Sequence, residues 1–187
     1  WCVPNNYKLV GIDASGLELR MLAHYMDDKD YTNEIISGDI HTANQHLAGL
    51  ESRDQAKTFI YALLYGAGDE KLGSVAGGNQ STGRRLRKSF FDNLPAFAQL
   101  RNRVSRAVQK NNFLKGLDGR KLGVRSEHSA LNTLLQSAGA IVMKEALVIL
   151  NSKLETCDTH FVANVHDEWQ IETEASIADQ VGRMGVA

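Results

Sequence analysis

Two short apolar segments of this chain lead into aspartates. Tyr7 to Ile12 (YKLVGI) is β-prone and delivers Asp13, which is followed by the small residues Ala14, Ser15 and Gly16. Phe161 to Val165 and Trp169 to Glu172 read as two strands around His166-Asp167-Glu168. If these strands lie side by side in one sheet, the carboxylates of Asp13 and Asp167 converge. Two ionised carboxylates ~4 Å apart repel by about 4 kcal/mol at an effective dielectric of about 20, so a site that keeps both charged wants a cation between them. Hard oxygen ligands select Mg²⁺ or Mn²⁺ over zinc. Two such ions about 3.5–4 Å apart serve in-line phosphoryl transfer, one at the attacking oxygen and one at the leaving oxygen. Taken singly, each aspartate also has a structural reading: Asp13 as a helix cap and Asp167 as a turn residue.

A second constellation is Arg53, Lys57, Tyr61 and Tyr65, spaced at intervals of four. On a helix each such step rises ~6 Å and turns only ~40°, so the four line one gently curving stripe. Arg and Lys can take phosphate oxygens, and tyrosines further along can stack on a sugar or base. A nucleoside triphosphate has that order of charge followed by flat rings. The alternative is an amphipathic helix with snorkelling bases and two core tyrosines.

Other chemistries lack their motifs. There is no GxxxxGK[ST] phosphate loop and no GxSxG nucleophile elbow. The glycines of Tyr65-Gly66-Ala67-Gly68 follow no strand, which removes a dinucleotide reading. His41 and His46 are five residues apart and share a helix face poorly, so a zinc pair there is not expected. Cys2 and Cys157 form no CxxC pair, which excludes a disulfide scaffold and a cysteine-rich zinc site and suggests a reducing, cytoplasmic setting.

The elements that must position these residues are few strands and many helices. Leu17, Leu19, Met21, Leu22 and Met26 predict a short amphipathic helix after Asp13. Residues 27–34 and 37–39 read as loop, 51–65 as a helix stopped by Gly66, and 73–83 as turn-rich. Helices are expected over 83–93 and 95–111, the second opened by Pro95. Asp118-Gly119 signals a hairpin. A long helix over 127–155 is expected to bury Leu131, Leu134, Leu135, Ala138, Ile141, Val142 and Ile149. With 187 residues, 43% of them hydrophobic, the chain can build a real core, and no apolar run of about 20 residues suggests a membrane span. The chain begins with Trp1 and ends where a helix is expected to start, and it reads as a piece of a longer protein. Its net charge of −1 hides an asymmetry: residues 83–125 carry twelve Lys and Arg against Asp92 and Asp118. Such a block is the footprint of a polyanionic partner, in preference to a merely solvated face.

Together these residues resemble family A DNA polymerases, the family of bacterial DNA polymerase I and many phage replicative enzymes. Asp13-Ala14-Ser15-Gly16-Leu17-Glu18-Leu19-Arg20 is similar to the first palm motif in the form phage members use. Arg53-Asp54-Gln55-Ala56-Lys57 through Tyr61 to Tyr65-Gly66 resembles the second motif, on the fingers helix. Val165-His166-Asp167-Glu168 resembles the third. Gly38-Asp39-Ile40-His41-Thr42 and Leu131-Asn132-Thr133-Leu134-Leu135-Gln136 are two further matches. Five motifs occur in the family's order over nearly the whole chain.

The resemblance implies an α+β fold: an antiparallel palm sheet flanked by helices, with an inserted all-helical fingers subdomain. Residues 1–26 would be the first part of the palm, 27–126 the fingers, and 127–187 the second, truncated part of the palm. Asp13 and Asp167 would hold two Mg²⁺ ions (or Mn²⁺) with help from the Ala14 carbonyl, and Glu168 would be accessory. Arg53, Lys57 and His41 would take the triphosphate, assisted by backbone amides at Ser15, Gly16 and Leu17. Glu18 would be the steric gate against a ribose 2′-hydroxyl. Tyr61 would line the sugar pocket, where many relatives carry Phe, implying weaker discrimination against dideoxynucleotides. Tyr65 would stack near the templating base, Asn132 and Gln136 would read the minor groove of the primer–template, and His166 would sit near the primer end. The implied partners are primer–template DNA, deoxynucleoside triphosphates and, through regions outside this chain, a processivity factor; no membrane is implied. Without a thumb and the last palm strand, the piece is expected to be inactive alone.

Three rival readings are a single-subunit RNA polymerase, a non-catalytic nucleic-acid-binding module and a two-metal nuclease. Glu18 argues against the first. The full set Asp13, Asp167, Arg53 and Lys57 argues against the second, and the nucleotide-like stripe has no role in the third.

Overall fold

The computed structural model describes residues 2–186. The chain divides into two compact units. The smaller comprises the residues up to Leu17 and those from Ala138 onward, and the larger runs from Glu18 to Ser137. The described residues form an α+β fold.

The smaller unit is built on a three-stranded antiparallel sheet in the order β1-β5-β4, with β1 Tyr7–Asp13, β4 Thr159–Val165 and β5 Glu168–Glu174. Alternation sorts the side chains. Ile12, Trp169 and Ile171 point into a core with Met143, Leu150, Leu154 and Val181. Asp13, Gly11, Glu168 and Gln170 belong to the other face, since directly opposed residues share a face. The core partners come from the long helix α8 (Ala130–Lys153) and from α9 (Ala178–Val186). The helix anticipated at the chain's end therefore begins at Ala178.

The larger unit is mainly helical: α1 Leu17–Met26, α2 Lys29–Ser37, α3 Ile40–Ala48, α4 Arg53–Leu64, α5 Asp69–Val75, α6 Gln80–Asn93 and α7 Pro95–Asn111. It is not all-helical, because β2 (Phe113–Lys115) and β3 (Lys121–Gly123) form the hairpin that Asp118-Gly119 signals. Its core includes Leu22, Phe59, Ile60, Leu72, Phe90 and Phe97, with Phe90 edge-on to both Phe59 and Phe97.

Several expectations are corrected. Residues 27–34 are not loop: Asp28 caps α2 by accepting from the Tyr31 amide, and Tyr31 anchors that helix in the core. The segment 73–83 makes its turn only at 76–79, around Gly77-Gly78-Asn79, and is helix on either side. Gly73 and Gly83 sit where α5 and α6 pack backbone to backbone, and a Cβ on either would overlap a carbonyl oxygen of Asn79 or Asp69. These glycines mark a close approach, not turns. On α8, Leu131, Leu134, Leu135 and Ala138 are buried as expected, but Ile149 is 59% exposed, and Met143 and Leu150 are buried instead. Leu131, Leu134 and Leu135 belong to the larger unit's core, and Met143 and Leu150 to the smaller unit's. The segment Glu127–Lys153 is long and apolar enough by composition to cross a membrane, contrary to the sequence expectation. Its buried side chains belong to the two cores, and it carries Lys144 and Glu145 at mid-length.

Candidate active site

In the smaller unit, the antiparallel register puts Asp13 directly opposite Glu168. The Ala14 amide donates to the Asp167 carbonyl oxygen at 2.9 Å, which carries the β1–β5 pairing one step into the turn. Asp13, Asp167 and Glu168 therefore share one end of the sheet. Val165 pairs with Glu168, leaving His166-Asp167 as a two-residue turn, and His166 takes a left-handed φ of 56°. Asp13 is exposed, and Asp167 and Glu168 are half-buried. Gln170 donates to Glu168 Oε1, and Gly11 leaves room beside that oxygen. Like charges directly opposite across a strand pair are unfavourable. A hard divalent cation would relieve this, and carboxylate with carbonyl oxygen is the donor chemistry it takes. The described side chains do not assemble three such ligands around one point. The donors thus fit a Mg²⁺-type ion by chemistry and by their shared sheet end. Ser15, Gly16 and Leu17 follow at the start of α1, Gly16 with φ of 64°.

In the larger unit, α4 presents the predicted stripe. Ser52 caps the helix by accepting from the Gln55 amide, in a reciprocal capping box. Ala56, Phe59, Ile60, Leu63 and Leu64 turn inward, so Arg53, Lys57 and Tyr65 are exposed and Tyr61 is half-buried. Tyr65 ends the helix, and its hydroxyl donates to Glu18 Oε1 at 3.1 Å.

Asp39, given no role by the sequence reading, joins two of the motifs. It caps α3 by accepting from the His41 amide at 3.1 Å, and the Thr42 hydroxyl donates to its Oδ2 at 2.8 Å. Arg53 Nε meets the same oxygen at 2.7 Å. The Arg53 guanidinium, then the Thr42 hydroxyl, hold the Asp39 carboxyl well below the usual carboxylate range. The position of Asp39 after Gly38, at a helix start, was the available signal. His41 is half-buried, with its ring centroid 6.4 Å from that of Tyr61. Burial, then the charges of Arg53 and Lys57, push its pKa below the ordinary histidine value. His41, Arg53, Lys57 and Tyr61 are thus gathered in one neighbourhood that holds two basic side chains and a neutral imidazole. On α8, Asn132 is half-buried and Gln136 exposed. Of the basic block, Arg84 and Arg87 pair with Asp69, Lys88 with Asp92 and Arg120 with Asp118. Arg85, Arg106, Lys110, Lys115, Lys121 and Arg125 have no carboxylate partner among the described residues and are exposed.

The sequence pattern of DNA polymerase family A matches residues 1–185, and this chain belongs to that family. The DNA-directed DNA polymerases of Escherichia phage T7 and Enterobacteria phage T3 are each 47% identical to it over 186 residues, covering 86% of this chain. DNA polymerase I of Aquifex aeolicus is 30% identical over 192 residues, covering 90% of this chain. The chain spans 26% of the length of the two phage relatives and 33% of the bacterial one.

Proposed function

We propose that this chain is the catalytic portion of a template-directed DNA polymerase that adds deoxynucleotides to a primer 3′-hydroxyl and releases pyrophosphate, in phage DNA replication in the bacterial cytoplasm. The observation that carries this reading is the opposition of Asp13 and Glu168, with Asp167 in the adjoining turn. The family of the chain supports it. In this reading the smaller unit's sheet is the palm and the helical part around α4 is the fingers.

Asp13 and Asp167, with the Ala14 carbonyl, would hold two Mg²⁺ ions, for which Mn²⁺ can substitute, and Glu168 is accessory. Bound there, the ions would lower the pKa of the primer hydroxyl and offset charge at the leaving oxygen. The chain's own side chains do the rest. Arg53 and Lys57 neutralise the triphosphate, and His41, neutral at pH 7, can donate one hydrogen bond to it. Amides of Ser15, Gly16 and Leu17 assist. Binding there requires the Arg53 fork to share itself between Asp39 and phosphate, so Asp39 aims the guanidinium before the nucleotide arrives. Glu18 crowds a ribose 2′-hydroxyl, held in place by Tyr65, which also stacks near the templating base. Tyr61 lines the sugar pocket. Asn132 and Gln136 take minor-groove acceptors of the primer–template, which vary little with sequence and so suit copying of any template. His166 lies by the primer end. The unpaired bases of residues 83–125 take phosphates of the nucleic acid. A processivity factor would bind elsewhere in the longer protein, and this portion alone is expected to be inactive.

The test is primer extension by the full-length protein with Mg²⁺, using deoxy- or ribonucleotides, beside Asp167→Ala. Extension with deoxynucleotides only, lost in the variant, supports the reading. Binding of primer–template without extension by the parent protein would leave a nucleic-acid-binding relative.

A further inference from the structure

Behind the stripe of α4 lies a group of buried polar side chains that none of these roles uses. Asn44, on α3, is 0% exposed, and neither its amide nitrogen nor its amide oxygen makes a hydrogen bond of good geometry among the described residues. Tyr31, on α2, is 3% exposed, and its hydroxyl is also without a hydrogen bond of good geometry. Burial raises the Tyr31 pKa, hydrogen bonding toward the Asn44 side chain opposes this, and the Tyr61 phenol adds to it. Tyr31 belongs to the buried core against which Tyr61 packs. His41, three residues before Asn44 on the same helix, has a buried Nδ1 with no partner, and its ring faces Tyr61.

Burying amide and hydroxyl groups without partners is costly, and apolar side chains of the same shape would avoid that cost. Packing alone does not account for an asparagine here. Asn44 and Tyr31 each offer a donor and an acceptor; Asn44 lies one helical turn from His41 on α3, and Tyr31 belongs to the core against which Tyr61 packs. Such neighbours restrict which way each ring can turn, and so where the Tyr61 hydroxyl and the His41 nitrogens point.

We propose that Tyr31 and Asn44 are positioning residues that orient Tyr61 and His41, and so set nucleotide affinity and the choice between deoxy- and dideoxynucleotides. This rests on the reading that Tyr61 lines the sugar pocket. In the full-length protein, Tyr31→Phe removes one hydroxyl, and Asn44→Leu removes both amide atoms at similar size. Single-turnover incorporation of deoxy- and dideoxynucleotides should show KM for the deoxynucleotide raised about 3- to 10-fold with kcat within about 2-fold. The dideoxy-to-deoxy ratio should move by at least about 3-fold, and neither change should add to that of Tyr61→Phe when combined. The ratio does not depend on the fraction of protein folded, so a purely structural role would change the Tm and leave it untouched. If Tyr61→Phe moves the ratio while both new variants keep the parent's ratio and KM, the proposal is overturned and the sugar-pocket reading stands. If Tyr61→Phe itself leaves the ratio unmoved, that reading falls and the proposal with it.

Discussion

Asp13 and Glu168 face each other directly across the β1–β5 strand pair, on the side of the sheet away from Ile12 and Trp169. Two carboxylates directly opposite one another across a strand pair repel. Neutralising one of them should therefore not harm the fold. We expect Asp13→Asn to keep or raise the Tm measured by circular dichroism without divalent ions. The parent's Tm should rise with Mg²⁺ or Mn²⁺, and the variant's should rise less. A variant that loses stability and keeps the full metal response would show that Asp13 is a structural cap.

His41 should be neutral at pH 7. Burial and the charges of Arg53 and Lys57 lower its pKa in the folded state. As the pH falls from neutral, the unfolded chain takes up this proton first. Stability is therefore lost until the folded His41 also protonates. An NMR titration should place the His41 pKa below the ordinary histidine value, and Lys57→Ala should raise it. An unshifted His41 would mean that these cations lie too far away to act on it.

The Tyr65–Glu18 hydrogen bond predicts a shared effect on sugar selection. Glu18→Ala should raise ribonucleotide incorporation relative to deoxynucleotide. Tyr65→Phe should raise it less, by about 2- to 10-fold, which corresponds to one modest hydrogen bond. Competition assays with both nucleotides present measure this directly. Equal selectivity in all three proteins would remove Glu18 as the gate.

The α5–α6 packing predicts intolerance of any side chain at Gly83. Its Cβ would collide with the Asp69 carbonyl and crowd the Gly73 amide, both backbone atoms that cannot swing aside. Gly83→Ala should cost about 1–3 kcal/mol or more, as overpacking does. Gly77, with φ of 68° and open space around it, should lose less on the same change. Urea unfolding of the two variants separates them.

Where the candidate residues fall on strands, turn and helix was largely legible, because these residues are punctuation as well as chemistry. Asp13 and Asp167 interrupt apolar strands, and the four-residue spacing of Arg53 to Tyr65 marks one helix face. The hairpin at Asp118-Gly119 and the closing strands 159–174 were visible for the same reason. What the sequence hid depends on tertiary packing. The polar segment around residues 29–37 is helical because Asp28 caps it and Tyr31 is buried, and neither fact shows in local polarity. Gly73 and Gly83 look like turn residues until a second helix lies against them. Asp39 and Arg53 are fourteen residues apart, so their ion pair follows only from the docking of α3 on α4. The exposure of Ile149 reflects a change of partner along one continuous helix, which periodicity cannot register.

The central claim is that Asp13 and Asp167 serve the chemical step and not the binding of nucleic acid. The most direct measurement is single-turnover nucleotide incorporation by full-length Asp13→Asn and Asp167→Asn proteins, with primer–template affinity measured in parallel by fluorescence anisotropy. We predict incorporation reduced by at least about 10³-fold, with affinity within about 3-fold of the parent. Incorporation near the parent's rate in either variant, with affinity intact, would contradict the account.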